Sequence, residues 1–322
     1  MMISFVIPCY RSEKNITSVV NEIKETVTKR SGCKYEIIAV NDQSPDNVYS
    51  VLKSLAAADK QVKVIDLSKN MGKHAALMAG FRHACGDYIA ICDDDGQCPI
   101  EHLWELIDAV DEGYDAAMAN YGVKAQSRFK NFGSRMNDWM MRTLLNKPRH
   151  IKFANFAVFR PFVVSEMLKY KNPYPYVNGL LLQATHKIKN VPMEERERLN
   201  GTGGYTFKKS FSLWMNGFTA FSVKPLRIAT ALGAVLALAG FAFGIYVIIR
   251  KLVHPNILAG YSSLFAAMLF IGGVIMLMMG LIGEYIGRIY ISINNAPQYV
   301  VRETINIANH NLIPENRRNE KN

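Results

Sequence analysis

Residues 88–97 read Y-I-A-I-C-D-D-D-G-Q, a short uncharged run followed at once by three carboxylates. The run Tyr88–Cys92 is predicted to be a buried strand because it is apolar, short and bounded by polar residues. Side chains two positions apart in an extended chain point the same way, so Asp93 and Asp95 can share one cation. Hard oxygen ligands suit Mg²⁺ or Mn²⁺, with phosphate oxygens completing the shell. The alternative is a solvated acidic turn.

Working outward from this run, apolar strand patterns alternate with helical patterns along the first 120 residues. The predicted strands are Ile3–Pro8, Tyr35–Asn41, Val62–Leu67, Tyr88–Cys92 and Asp115–Asn120, and the predicted helices are Asn15–Thr28, Val48–Ala58, Gly72–Cys85 and Ile100–Glu112. This alternation predicts an α/β fold with a mostly parallel, Rossmann-like sheet. Ligands then bind beyond the carboxyl ends of the strands. Neither a G-x-G-x-x-G nor a P-loop sequence follows any predicted strand.

Two uncharged stretches near the C-terminus are long enough to cross a bilayer. Residues 228–249 carry no charge, and neither do residues 252–283, whose helical part is predicted at 262–283. At 1.5 Å per residue each helix spans the ~30 Å hydrocarbon core. We therefore expect a transmembrane hairpin over residues 228–283, against the alternative of two buried core helices. Lys and Arg near its outer ends favour cytosolic N- and C-termini.

Composition and charge set the class of partner. The chain has 322 residues, is 49% hydrophobic and carries a net charge of +11. It is too apolar to be disordered, and its positive charge predicts an anionic partner such as a nucleotide, a phospholipid surface or a nucleic acid. The apolar run at residues 3–7 stops at Pro8 and is too short for a signal-peptide core. The N-terminal part is thus expected to stay in the cytosol, with its five cysteines as free thiols.

The positive charge is concentrated in residues 124–152, which contain eight Lys and Arg and one acidic residue, Asp138. Apolar residues recur between them at helical spacing, which predicts an amphipathic helix lying in the headgroup plane of an anionic membrane. A solvated face packed on the core is the alternative. No nucleic-acid-binding signature accompanies the segment, so we expect no nucleic-acid partner. Residues 205–227 mix aromatic and basic residues and are expected at the membrane interface.

The order of motifs resembles one enzyme family. CDDDGQCPIE (92–101) resembles the D-x-D-x-Q-x-P-x-E segment of inverting family 2 glycosyltransferases of the GT-A fold. VIPCYRSEKNI (6–16), VNDQSPDNV (40–48) and SKNMGKHAALMAGFR (68–82) are similar to three further segments of that family. The hairpin followed by GEYIGRIY (283–290) is similar to its polyprenyl-phosphate subgroup, which includes dolichyl-phosphate mannose synthase-like enzymes, bactoprenol glucosyltransferases and undecaprenyl-phosphate aminoarabinose-type transferases. The resemblance covers roughly residues 3 to 302.

The resemblance implies roles for particular residues. The catalytic residues would be Asp93, Asp95 and Gln97, of which Asp93 and Asp95 would hold the metal. The nucleotide-sugar pocket would be lined by Pro8, Tyr10, Glu13, Asp42, Lys73 and Asp93. The acceptor phosphate would be bound by Arg198 and Tyr205 of RLNGTGGY (198–205). The excess of positive charge in residues 124–152, and not the resemblance, adds Arg128, Lys130 and Arg135 to the expected acceptor-phosphate site.

Three departures from the family pattern bear on which donor is used. Asn41 stands where an acidic residue is common, and Gly203 and Gly204 stand where Ser and Lys are usual. The stretch ANFAVFR (154–160) lacks an acidic residue found in some relatives.

The predicted reaction is inverting transfer of a sugar from a nucleotide-sugar to a membrane polyprenyl phosphate. The expected organisation is a cytosolic catalytic domain (1–204), an interfacial segment (205–227), the hairpin (228–283) and a cytosolic C-terminal segment (284–322), placing a multi-pass protein in the cytoplasmic membrane. Gly283 and Gly287 form a G-x-x-x-G pair typical of packed helices, which indicates a homo-oligomer. Two alternatives are a processive polysaccharide synthase, whose Q-x-x-R-W segment is absent, and a non-catalytic subunit that presents lipid-linked sugar to a flippase.

Overall fold

The computed structural model describes residues 1–122, 141–142, 147–194, 196, 224–253, 261–294 and 296–307. The described chain divides into two compact units. The first contains residues 1–122, 147–194, 196 and 297–307, and the second contains the described residues of 136–146 and 206–296. The C-terminal residues 297–307 thus belong to the same unit as the N-terminal strands.

The first unit is built on one sheet flanked by helices. Its strands are β1 (Met2–Cys9), β2 (Lys34–Asn41), β3 (Val62–Leu67), β4 (Tyr88–Ile91), β5 (Ala116–Asn120), β6 (Ala157–Phe159), β7 (Ile188–Pro192) and β8 (Val301–Ile305). Its helices are α1 (Ile16–Thr28), α2 (Val48–Ala58), α3 (Lys73–Phe81), α4 (Leu103–Asp111), α5 (Pro161–Leu168) and α6 (Val177–Ala184), with a 3₁₀ turn at Ile100–His102.

The strand order is β7-β5-β6-β4-β1-β2-β3-β8. Strands β1 to β5 and β7 run in one direction, whereas β6 and β8 are antiparallel to their neighbours. The chain leaves β1 towards β2 and β3, and then returns to place β4 on the other side of β1. This reversal creates a crevice beyond the carboxyl ends of β1 and β4, where open α/β sheets bind their ligands. The predicted α/β, mostly parallel class is confirmed.

The apolar core lies where the helices cover the sheet. The inward-facing residues of β1 and β2 are fully buried, and α3 is buried along its length from Ala75 to Phe81. Helix α3 packs this closely because Gly80 has no side chain: a Cβ there would lie 2.3 Å from Cγ1 of Val6 and 3.3 Å from Cγ2 of Val40. The close approach holds the N-terminus of α3 over the carboxyl ends of the strands.

Most predicted elements agree with the structure to within one or two residues. Helix α3 is an exception, because the prediction that the helix continues to Cys85 is wrong. The chain instead turns after Phe81, and Gly86 packs so tightly on β1 that a Cβ there would lie 2.7 Å from the Ser4 amide nitrogen. A straight helix to residue 85 could not make that contact.

Strands β6, β7 and β8 were not predicted from the sequence. Strand β8 lies at the edge of the sheet, antiparallel to β3, although more than 230 residues separate the two strands in the chain. Residues 284–322 had been assigned only as a cytosolic C-terminal segment. The pattern Val301–Ile305 (VRETI) is too short and too charged for its periodicity to identify a strand.

The second unit contains the two long apolar helices α7 (Lys224–Val253) and α8 (Tyr261–Ile293). Within them, Ala229–Tyr246 and Phe270–Ile293 are long and apolar enough to cross a membrane. Helix α8 continues ten residues beyond the predicted end of the second span at Gly283. The uncharged run stops there, but a single Glu or Arg does not end a helix.

Replacing Gly80 with Ala should destabilise the first unit, because the added methyl group must displace Val6 or separate α3 from the sheet. Overpacking of this kind costs about 1–3 kcal/mol. The measurement is thermal unfolding of the full chain in detergent, and a lower unfolding temperature is expected. Gly244→Ala is the matched control, since a Cβ at Gly244 meets nothing within 4 Å. Equal unfolding temperatures for wild type and Gly80→Ala would contradict the packing argument.

Candidate active site

The three carboxylates leave strand β4 at the crevice beside β1. Asp94 is turned towards β1, where the Tyr10 amide donates to its Oδ2 at 2.9 Å. Burial raises the pKa of Asp94 to about 6, and the neighbouring charges of Asp93 and Asp95 add to the rise. Gly96 follows with a φ of 77°, a left-handed conformation that lets the chain turn away from the strand. The turn leaves Asp93 and Asp95 at the edge of the sheet.

Lys73 supplies the cation nearest to these carboxylates. Its Nζ lies 2.5 Å from Oδ1 of Asp93, and both side chains are partly exposed. Lys73 is the first residue of α3, and the backbone before it is shaped by Gly72 at a φ of 85°. The structure thus places Lys73 beside Asp93, and its predicted position near a diphosphate stays a prediction.

Asp42 holds the loop that leads into α3. Its buried carboxylate accepts hydrogen bonds from the amides of Met71 at 2.7 Å and Gly72 at 2.8 Å. The side chain of Asn70 donates to the Asp42 carbonyl at 3.0 Å. Burial raises the pKa of Asp42, and the two amide hydrogen bonds oppose the rise. The structure thus places Asp42 at the crevice, where it fixes residues 70–72; its predicted contact with a base stays a prediction.

Gln97 is held by Asp95 and by Arg196, a residue that the sequence analysis missed. The Gln97 amide donates to Asp95 Oδ1 at 3.1 Å, and Gln97 Nε2 donates to the Arg196 carbonyl at 3.2 Å. The Arg196 guanidinium pairs with Glu22 of α1 at 2.7 Å and with Glu101 of the 3₁₀ turn. The sequence pointed to Arg198 instead, because Arg198 matches the R-x-x-G segment of the family, whereas nothing in EERER (194–198) distinguishes Arg196.

The three residues predicted to line the pocket from β1 lie in different environments. Pro8 is buried inside β1 opposite Val40. Tyr10 is 41% exposed, with the Arg11 guanidinium 5.5 Å from its ring centre. Glu13 accepts a hydrogen bond from the Asn47 amide at 3.1 Å and so ties the loop after β1 to the loop after β2. Of these three residues, Tyr10 and Glu13 therefore have side chains at the surface of the crevice, and Pro8 does not.

The residues predicted to bind the acceptor phosphate lie outside the described residues. They are Arg128, Lys130, Arg135, Arg198 and Tyr205.

The oxygen donors of Asp93 and Asp95 fit a hard divalent cation. Within the described part of the chain, no group of three or more His, Cys, Asp or Glu residues could hold a metal ion. Mg²⁺ is characteristically bound by one or two carboxylates together with substrate phosphates and water. A pair of aspartates at an open sheet edge therefore fits a metal that is also bound by phosphate oxygens of a ligand, and does not fit a site closed by protein ligands alone.

Comparison with known proteins defines the class. Residues 4–167 match the family model Glycosyl transferase family 2, and residues 224–289 match the model of the GtrB C-terminal hairpin. The first match covers the strands and loops that form the crevice. The chain belongs to glycosyl transferase family 2, and its mixed α/β sheet is of the GT-A-like type predicted from the sequence.

Curated relatives match along nearly the whole chain. The uncharacterized glycosyltransferase YkcC of Bacillus subtilis is 33% identical over 96% of this chain and 96% of its own. The prophage bactoprenol glucosyl transferase homolog of Escherichia coli K12 is 32% identical over 94% of this chain and 99% of its own. The undecaprenyl-phosphate 4-deoxy-4-formamido-L-arabinose transferase of Klebsiella pneumoniae is 30% identical over 94% and 93%. A crystal structure of a mycobacterial protein has a TM-score of 0.51 at 17% identity, covering 68% of this chain and 74% of its own, which supports the fold alone.

His74 follows Lys73 in α3 and is partly buried against the start of α6. Its ring packs edge-on against Tyr176 at a centroid distance of 5.0 Å, and its Nδ1 is buried without a hydrogen-bond partner. Burial, aided by the charge of Lys73, lowers the pKa of His74 to about 4. The folded state therefore keeps this ring neutral at pH values where an unfolded chain protonates it.

This difference predicts acid sensitivity with a defined sign. As the pH falls from about 6.5 towards 4, the unfolded chain gains a proton at His74 that the folded chain does not, so stability falls by up to about 3 kcal/mol. His74→Gln should lose less unfolding free energy over this range than wild type. Denaturant unfolding at several pH values measures the difference, with the exposed His186→Gln as control. Identical pH dependence in wild type and His74→Gln would refute the assignment.

Proposed function

We propose that this glycosyltransferase moves a sugar from a nucleotide-sugar donor to the phosphate of a membrane polyprenyl phosphate, with inversion at the anomeric carbon. The observation that carries the proposal is the carboxylate pair at the reversal point of the sheet, in a chain with two helices of membrane-spanning length. Relatives named as bactoprenol glucosyl transferase and undecaprenyl-phosphate arabinose transferase, similar along almost their whole length, support this acceptor.

The donor side of the reaction is assigned to the crevice between β1 and β4. Asp93 and Asp95 would hold Mg²⁺ or Mn²⁺, which when bound supplies positive charge that stabilises the diphosphate leaving group. Lys73, already paired with Asp93, adds a fixed cation at the same place. Tyr10, Glu13 and the loop held by Asp42 form the wall on the nucleotide side, with Pro8 behind it in β1.

The acceptor needs no protein base. A lipid monophosphate has a second pKa near ~6, so at neutral pH it is already mostly a dianion. One of its oxygens forms the bond to the anomeric carbon as the bond from that carbon to the diphosphate breaks, and the nucleoside diphosphate leaves. Gln97, whose side chain donates to the Arg196 carbonyl and whose amide donates to Asp95, would contact the sugar or the incoming phosphate. What the protein must provide is positive charge for two anions.

The basic residues of 124–152 and of RLNGTGGY (198–205) are proposed to provide that charge for the acceptor. Residues 205–227 would lie at the membrane interface, and residues 228–283 would form a multi-pass hairpin in the cytoplasmic membrane. The catalytic domain (1–204) and both termini would be cytosolic, where nucleotide-sugars are made, and Gly283 and Gly287 would support a homo-oligomer.

Nucleotide release from a panel of UDP-, GDP- and dTDP-sugars tests the function. Release from one donor should rise by at least ~10²-fold when undecaprenyl phosphate is added with Mn²⁺, because the acceptor supplies the attacking oxygen. NMR of the product should show a β-linkage from an α-linked donor. Transfer to a growing glycan would instead identify a processive synthase. If undecaprenyl phosphate does not increase nucleotide release from any donor, the result would favour a non-catalytic subunit.

Asp95→Asn should reduce turnover by at least ~10²-fold, the scale of losing one key electrostatic group. Unfolding temperature should change little, because Asp95 lies at the sheet edge outside the core. Asp108→Asn, on the exposed face of α4, is the matched control and should retain wild-type turnover. If excess EDTA does not reduce turnover by the wild-type enzyme, Asp93 and Asp95 do not act by binding a metal.

A further inference from the structure

Arg302 is the extra residue of a β-bulge at the edge of the sheet. In the pairing of β3 with β8, Asp66 lies opposite Glu303 and Leu67 opposite Val301, which leaves no residue of β3 opposite Arg302. Bulges of this kind redirect a side chain and are frequent beside active sites. Here the guanidinium is directed at β3: its NH1 lies 3.4 Å from Oδ2 of Asp66, and its NH2 donates to the Ser68 carbonyl at 3.0 Å.

The first of these contacts reaches the loop after β2. Asp66 is only 1% exposed, and a buried carboxylate needs hydrogen-bonding or charged partners. Its other oxygen, Oδ1, accepts a hydrogen bond from Asn41 Nδ2 at 2.7 Å. The Asn41 side chain in turn accepts one from the Ser44 amide at 3.2 Å. The charge of Arg302 is thus connected, through Asp66 and Asn41, to residues 42–46.

The second contact reaches the loop after β3. The C-terminal segment holds Ser68 on both sides, since the Ser68 amide donates to the Val300 carbonyl at 2.8 Å and its carbonyl accepts from Arg302. Ser68 begins the loop whose residues 71 and 72 donate to Asp42, and which ends at Lys73. Arg302 therefore joins the starts of the two loops that Asp42 holds together.

We propose that Arg302 is a positioning residue for donor binding, acting through Asp66 and Ser68 on the loops 41–46 and 68–73. The identity of the ligand as a nucleotide-sugar rests on the proposed function. The position of Asn41, where relatives commonly have an acid, gains a physical role in this arrangement: its amide can donate to Asp66, as a second carboxylate could not.

Hydrogen–deuterium exchange of the full chain in nanodiscs tests the positioning directly. Arg302→Gln should speed exchange in peptides covering 41–46 and 68–73 by about 10-fold, the scale of losing a charged hydrogen bond, with helix α4 unchanged. Lys53→Gln is the matched control, because Lys53 pairs with Glu303 of the same strand at 3.3 Å and contacts neither Asp66 nor Ser68. Unchanged exchange in both loops, or a uniform increase across the sheet, would overturn the proposal.

Kinetics separate positioning from simple stability. Arg302→Gln should raise KM for the donor by about 10-fold while kcat stays within about twofold. The donor KM of Arg302→Lys should lie between those of wild type and Arg302→Gln, since one ammonium cannot reproduce both contacts of the guanidinium. A fall in kcat at unchanged donor KM would overturn the proposal. If wild type transfers sugar to no polyprenyl phosphate, the proposed function fails, whereas the exchange result still decides the role of Arg302.

The double variant Arg302→Met with Asp66→Asn covers the case in which Arg302→Gln does not fold. Removing both charges leaves no uncompensated buried carboxylate, so the unfolding temperature should return towards that of wild type. Exchange in residues 68–73 should stay fast, because Ser68 has still lost its guanidinium donor. Wild-type exchange in this folded double variant would refute the positioning role.

Discussion

Three adjacent aspartates cannot all point the same way at one sheet edge without strong mutual repulsion, and the rest of the site is arranged around that constraint. The structure separates them: Asp94 turns to the Tyr10 amide and Asp93 pairs with Lys73. Both contacts require Tyr10 and Lys73 to be held in position. Tyr10 follows β1, and Lys73 begins α3, which lies close to the sheet because of Gly80. The packing of one helix thus determines the electrostatics of the carboxylate pair.

Most of the fold could be predicted from local sequence patterns, namely apolar runs and the polar residues that follow them. Buried parallel strands such as β1 and β4 are nearly continuous apolar runs, and the carboxylates after β4 indicated the edge of the sheet where ligand binding is proposed. Strand β8 has no such pattern, because this charged edge segment forms a strand only through its pairing with β3. Arg196 and Arg302 could not be identified either, because what distinguishes them is contact with Gln97 or Asp66, far away in the chain.

The carboxylates in and around the crevice differ in the partners that they have within the protein. Asp42 accepts hydrogen bonds from backbone amides, and Glu22 pairs with Arg196. Asp66 accepts a hydrogen bond from Asn41 at Oδ1 and forms an ion pair with Arg302 at Oδ2. Asp93 and Asp95 also have partners, Lys73 and the Gln97 amide, but they lie at the open edge of the sheet. In the proposed function, a ligand that carries its own cation would meet Asp93 and Asp95 at this edge, and the contacts of Asp42, Asp66 and Glu22 would stay intact.

The position of β8 in the chain bears on how the protein is made. Strand β8 follows α8, so a ribosome completes both apolar helices before the last strand of the sheet exists. Until then β3 is an unpaired edge, with the buried carboxylate of Asp66 lacking its guanidinium. Pairing across more than 230 residues is slow compared with the local folding of β1 to β4. The sheet is therefore completed after synthesis of the two apolar helices, which couples the final positions of loops 41–46 and 68–73 to the biogenesis of the whole chain.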